Sequence, residues 1–251
     1  MELHMPKIEV MRRRRAGSFY YGWAIMVLLI AGSTGCAKTG SSFTTSAITY
    51  VSVMNMAPYA PTADIYLNGS LASQTGGIPP GNFSTKYGSL QPGNYDVLFK
   101  KSGSDSLLAE IPASLYDTSK FYTVLLYNNI GGGPAQAVKM EDDFTNLSPT
   151  NANYRFFNLA PDAPKVDFYL NGAVAHLGRS AADNIYNTSY NSFQQVAPAT
   201  CNLQVKAAGT DSVVASVDGV NLQGGGVYTI FLSETKNGGN SFKVNVLQAS
   251  F

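Results

Sequence analysis

Tyr50-Val-Ser-Val-Met-Asn-Met-Ala-Pro-Tyr-Ala-Pro-Thr-Ala-Asp-Ile-Tyr-Leu-Asn-Gly69 is written a second time as Asn153-Tyr-Arg-Phe-Phe-Asn-Leu-Ala-Pro-Asp-Ala-Pro-Lys-Val-Asp-Phe-Tyr-Leu-Asn-Gly172, 103 residues later. Asn55, Pro58, Pro61, Asp64, Tyr66 and Asn68-Gly69 have identical partners in the second stretch. Each stretch reads as a strand, a proline-punctuated turn, a short strand and an Asn-Gly turn. Both residues of Asn-Gly tolerate positive φ, so this pair is a strong hairpin signal.

Further along, the offset becomes 106. Lys100-Lys-Ser-Gly-Ser-Asp-Ser-Leu107 matches Lys206-Ala-Ala-Gly-Thr-Asp-Ser-Val213, and Phe121-Tyr-Thr-Val-Leu-Leu126 matches Val227-Tyr-Thr-Ile-Phe-Leu232. Tyr87 is matched to Tyr190 at the first offset, which places a three-residue insertion near Gln194 to Ala197. Each copy is about 100 residues, the size of a domain rather than a solenoid unit. The expected division is 49–147 and 148–251, joined at Asn146-Leu-Ser-Pro-Thr-Asn-Ala152.

Short alternating runs between turn signals predict about seven strands per copy and an all-β sandwich. They fall near 49–55, 63–67, 83–89, 94–101, 106–111, 120–128 and 135–142. In the second copy they fall near 153–158, 166–170, 187–195, 201–207, 212–217, 226–234 and 241–249. No amphipathic helix stands out after residue 35.

Residues 1–35 read as a secretory signal. Arg12 to Arg15 precede the apolar run Phe19 to Ile30, followed by Ala-Gly-Ser-Thr-Gly-Cys36. Met11, directly before the arginines, is an alternative start to Met1. Ser33-Thr34-Gly35-Cys36 resembles a bacterial lipobox, in which the peptide is cut before the cysteine and the thiol carries diacylglycerol. Ser33 departs from the usual Leu. The alternative is an uncleaved anchor, because Ala16 to Ala37 is uncharged and long enough to span a bilayer. Either way the expected partner is a membrane, through a lipid on Cys36 or through the segment itself, and residues 36–48 form a Ser/Thr-rich linker. Ala37 is not Asp and no acidic run follows, so the expected location is the outer membrane of a bacterial envelope.

The repeated signature Asn-x-Ala-Pro-x-Ala-Pro-x-x-Asp-x-Tyr-x-Asn-Gly resembles the DUF4397 family. Leu90-Gln-Pro-Gly-Asn-Tyr-Asp-Val97 and Phe121-Tyr-Thr-Val124 fit that family's later elements. Val196-Ala-Pro-Ala-Thr-Cys-Asn-Leu203 blurs the first of these. The resemblance covers nearly all of 49–251 and implies an Ig-like or similar β-sandwich in an envelope protein. It implies no activity.

Composition narrows the chemistry. Charged residues are 13%, about half the roughly 25% of ordinary soluble domains. Once residues 1–35 are set aside, 12 basic and 14 acidic residues remain, a net charge of −2. That gives no electrostatic case for nucleic-acid binding. His176 is then the only histidine and is expected on a surface loop; Cys201 is expected as a small buried hydrophobe. Asp64 and Asp167 are expected to bond the backbone of the Ala-Pro turns rather than calcium. Glu141-Asp142-Asp143 is expected to be a solvated edge. No catalytic residue, cofactor or metal ligand is assigned, and the chain is expected not to be an enzyme. Tyr59, Tyr87, Tyr186 and Tyr190 are the candidate ligand contacts, since exposed aromatics beside Asn suit glycans or proteins. The expected role is a non-catalytic binding or adhesion module, with a structural part in an envelope assembly as the alternative.

Overall fold

The computed structural model describes residues 47–234 and 241–250. The signal segment, Cys36 and most of the linker lie outside them. Residues 45–251 form one compact unit, and its described part is all β apart from two short helical turns.

In the first half, β2 (Ala63–Leu67), β3 (Ser70–Leu71), β6 (Gly93–Lys101) and β7 (Leu107–Tyr116) form an outer sheet in the order β3-β2-β6-β7. The inner sheet holds β1 (Thr49–Met56), β4 (Asn82–Phe83), β5 (Gly88–Leu90), β8 (Phe121–Asn128) and β9 (Ala135–Glu141). Its order is β4-β1-β8-β9, with β5 also on β1. The second half follows the same plan. Its inner sheet is β13-β10-β16-β17, from β10 (Ala152–Asn158), β13 (Gln194–Val196), β16 (Val227–Ser233) and β17 (Lys243–Gln248). Its outer sheet is β12-β11-β14-β15, from β11 (Val166–Leu170), β12 (Ala173–Arg179), β14 (Ala199–Ala207) and β15 (Val213–Leu222). Each inner sheet is built on a parallel pair, β1 with β8 and β10 with β16. The other pairings are antiparallel.

The Asn-Gly turns form as their chemistry predicts. Asn68 and Gly69 have φ of 46° and 76°, and Asn171 and Gly172 have 49° and 79°. Each Asn side chain also accepts from the facing strand, Asn68 Oδ1 from Asp96 N and Asn171 Oδ1 from Asn202 N.

The sequence pattern treats the copies as separate sandwiches; the structure sets their inner sheets face to face. Even-numbered residues of β8 (Tyr122, Val124, Leu126) point into the first sandwich, and Tyr228, Ile230 and Leu232 of β16 into the second. The odd-numbered Leu125, Tyr127, Phe157 and Phe231 meet in a third core with Met54, Met56 and Met140. Strands β10 and β16 are therefore buried along their whole length, as parallel strands covered on both faces are. Flexible methionines fill the first half's side of this seam against aromatic rings from the second. Phe83 meets Phe231 edge-to-face at 5.5 Å between centroids.

Two predicted strands differ. Residues 83–89 are two short strands, β4 and β5, separated by a loop. Residues 187–195 are mostly not strand: α1 (Asp183–Tyr186) and a 3-10 turn (Thr188–Asn191) precede the short β13. Buried Arg179 grips Asp183 with two bonds of 2.8 and 2.7 Å, and Asp183 Oδ2 accepts from Ser180 N. The turn is thus fixed by a local i,i+4 ion pair whose arginine is anchored on the Phe156 carbonyl of β10, rather than by helix propensity. The insertion also moves. Thr49 faces Leu90 while Ala152 faces Val196, so the offset is already 106 there. Tyr87 corresponds to Phe193, not Tyr190, and both rings pack on Phe144 at 5.9 and 5.5 Å.

Candidate functional site

The recurring carboxylates are structural, but at another turn than expected. Asp64 accepts from Ser102 Oγ and Gly103 N, each at 3.0 Å. Asp167 accepts from Gly178 N at 2.7 Å and Gly209 N at 2.9 Å. They fasten the β6–β7 and β14–β15 turns. The Ala-Pro turns are held by asparagines instead: Ala57 N donates to Asn55 Oδ1 and Ala160 N to Asn158 Oδ1. With their oxygens occupied by N–H and O–H donors, the two aspartates do not converge on a cation. Among the described residues no group of three His, Cys, Asp or Glu is placed to hold a metal.

His176 is not on a loop. It lies on β12, half-buried, its ring within 6.1 Å of both Phe156 and Phe168. Burial, reinforced by Arg179, pushes its pKa down to about 4, so it is neutral across the ordinary pH range. Cys201 is buried on β14, beside Asn171 Nδ2 at 3.6 Å, and burial raises its pKa. A buried thiol of raised pKa is a poor nucleophile.

The acidic run divides. Glu141 pairs with Lys120 at 2.6 Å on the surface, and Asp143 caps Thr145. Asp142 is not solvated at all. It is buried in the seam, its Oδ1 2.7 Å from Arg155 Nη2 of the second half. Thr123 Oγ1 and Tyr87 Oη donate to its other oxygen at 2.6 and 2.8 Å. Arg155 also donates to Thr229 Oγ1 at 2.9 Å and is stacked between Phe157 and Phe193. This clasp flanks the joint between the halves. Nothing in the spacing of residues 142 and 155 announces it; an arginine inside an otherwise apolar strand was the available signal.

The four candidate tyrosines separate into two kinds. Tyr87 lies in the seam, and burial with the Asp142 charge beside it pushes its pKa well above the usual tyrosine range. Tyr190 lies half-buried under the Arg179 guanidinium, 3.8 Å from the ring centroid. Both rings serve the scaffold. Tyr59 and Tyr186 come to one place, the loop 129–133 between β8 and β9. Tyr186 Oη donates to Asn129 Oδ1 at 3.1 Å. Tyr59 N donates to Asn128 Oδ1, and the Tyr59 ring lies against Gly132, where a Cβ would stand 3.1 Å from the ring. The loop is tied to the second half through Gly131 N to Pro161 O at 2.7 Å. Tyr59, Ile130 and Tyr186 are 41, 65 and 70% exposed, so aromatic and aliphatic surface from both halves is presented around a single anchored loop. Ile130 was not singled out in the sequence; it follows Asn128-Asn129 in a turn and shows no pattern.

No curated protein matches the chain. Residues 49–169 match the family model described as a domain of unknown function, DUF4397, a span that takes in the first sandwich and enters the second as far as β11, and the chain carries a DUF4397 domain there.

Proposed function

We propose that this chain is a bacterial envelope lipoprotein, anchored through Cys36 and expected in the outer membrane, that displays two copies of the DUF4397 domain as a non-catalytic binding or adhesion module. The second copy is supported by the matching strand orders of the two halves and by side-chain bonds that recur at the same offsets, such as Asn55 with Asn158 and Lys100–Asp105 with Lys206–Asp211. The observation that carries the binding reading is the Tyr59–Ile130–Tyr186 surface. Large amphipathic rings on a fixed loop give contact area at low entropic cost, and the half-exposed Asn129 beside them adds a polar group suited to a glycan or a protein surface.

The test is a glycan array and a panel of envelope proteins probed with the full chain, wild type against Tyr59→Ala/Tyr186→Ala. Binding lost in the variant supports the module. Arrays that stay blank with the wild type reject it in favour of an assembly role. That second reading draws on edge strand β12, where Val174 and Leu177 are exposed and an open strand edge can accept a partner strand. For the anchor, mass spectrometry of the mature N-terminus should find an acylated Cys36; an intact N-terminal segment would replace the lipid with a spanning anchor.

A further inference from the structure

The two sandwiches are filled differently. In the second, Tyr154 and Phe156 of β10 and Phe168 of β11 are buried, and Phe156 stacks on Phe168 at 4.4 Å and 2° between planes. His176 on the seven-residue β12 completes that aromatic layer. The matching positions in the first sandwich are Val51, Val53 and Ile65, by the shared registers Val51 with Tyr122 and Tyr154 with Tyr228. There the covering strand β3 has only two residues. Part of the missing volume is recovered deeper in, where Phe99 stands opposite Ile65 while Val205 stands opposite Phe168. The edge is not recovered. A cleft of about 740 Å³ opens there, floored by Val53, Ile65, Val97 and Val124 and crossed by the loop leading from β3 to β4. That volume lies within the range of about 300–1,000 Å³ that small-molecule sites occupy.

The charge lining the cleft is one-sided. Among the described residues no carboxylate lines it and Lys86 is the only charged side chain that does; the neighbouring Asp64, behind Gly77, is engaged by Ser102 and Gly103. Lys86 is exposed, and no ion pair to it occurs among the described residues. Ser73, Gln74, Asn82, Ser84, Thr85 and Ser89 add uncharged polar groups over an aliphatic floor.

We propose that this cleft binds a single-chain aliphatic carboxylate, with the alkyl body on the Val53–Ile65–Val124 floor and the carboxylate at Lys86. An apolar body would occupy the volume that aromatic side chains fill in the second sandwich. An anionic end would meet the one cation at the mouth.

The test uses the full chain in amphipol and a diazirine-bearing long-chain fatty acid, with labelled peptides mapped by mass spectrometry. Three proteins are compared: wild type, Val53→Phe/Ile65→Phe, which installs the residues of the second half, and Lys86→Glu, a surface change that leaves the core untouched. Labelling of wild type is expected in the peptides around residues 51–53 and 72–90, reduced at least tenfold by the double variant. Lys86→Glu is expected to weaken labelling by the acid several-fold but not by its methyl ester. Equal labelling of both sandwiches, or wild-type labelling unchanged by filling the cleft, overturns the site. Equal labelling by acid and ester in every protein overturns the carboxylate and leaves a neutral apolar occupant. Because Tyr59 and Tyr186 do not line the cleft, a blank glycan array has no bearing on this result.

Discussion

Replacing Asp142 with Asn keeps the side chain's shape and removes its charge. Arg155 is then a cation with 2% of its side chain exposed and no carboxylate. Removing one member of a buried pair costs about 3–5 kcal/mol, chiefly from the charge left behind. The lower end is expected here, about 3 kcal/mol, because Arg155 keeps Thr229 Oγ1 and the Asn191 carbonyl as acceptors and two ring faces as neighbours. At an m-value of roughly 2–3 kcal/mol per molar, that moves the urea midpoint down by about 1–1.5 M. Far-UV circular dichroism of the full chain through a urea series measures it. Asp142→Leu with Arg155→Met should recover most of the loss, since apolar replacement of a whole buried pair is often neutral. A midpoint within about 0.3 M of wild type for Asp142→Asn, or a double variant no better than the single one, refutes the reasoning. The seam would then be held by its apolar contacts alone.

Acid should weaken the second sandwich through His176. Its folded pKa of about 4 lies below the ordinary 6.5, so the unfolded chain takes up the proton first as pH falls. Stability is full above pH 6.5 and declines between 6.5 and 4, by about 1–2 kcal/mol after allowance for its partial exposure; thermal unfolding over that range should show wild type losing stability relative to His176→Phe toward the acid end, and a constant difference between the two would clear the histidine. Phe168→Ala should cost about 3–5 kcal/mol by opening a cavity in a filled core. Ile65→Ala, at the same register beside the open cleft, should cost about 2 kcal/mol, and equal midpoint shifts would contradict the unequal packing. Gly77→Ala should lose at least about 2 kcal/mol, because φ is +65° and a Cβ would stand 2.6 Å from the Ala63 carbonyl oxygen; an unchanged midpoint would mean the loop over the cleft is not held there.

Local chemistry was readable and cross-element chemistry was not. The strands at 63–67 and 166–170 and both Asn-Gly turns follow from alternation and from positive φ, which are properties of neighbours in sequence. Asp64 was legible as a backbone-bonding carboxylate, yet its partner turn lies 39 residues on at Gly103, so proximity to the Ala-Pro turn misled. The stretch 187–195 looked like a strand because Tyr190 and Phe193 are strand formers; Arg179, fixed by Asp183 and the Phe156 carbonyl, imposes a turn instead. A sign of the seam was present in Phe121-Tyr-Thr-Val-Leu-Leu-Tyr127, a nearly continuous apolar run where a one-sided strand would alternate. Of the four tyrosines, the two claimed by Asp142 and Arg179 could not be told from the two on the surface, since only the fold brings those partners near. The cleft is invisible in either copy alone and emerges when Val53 is set beside Phe156.

The parallel pairs also impose an order of assembly. Strand β1 finds its partner β8 only after about seventy intervening residues have emerged, and β10 waits as long for β16. Contacts that distant are slow to close. A chain delivered from its N-terminus therefore completes its first sandwich with Met54, Met56, Leu125 and Met140 facing water, and they stay uncovered until Phe157 and Phe231 arrive. The half-delivered molecule is the aggregation-prone species, and its sticky face is the one that the finished protein hides most completely.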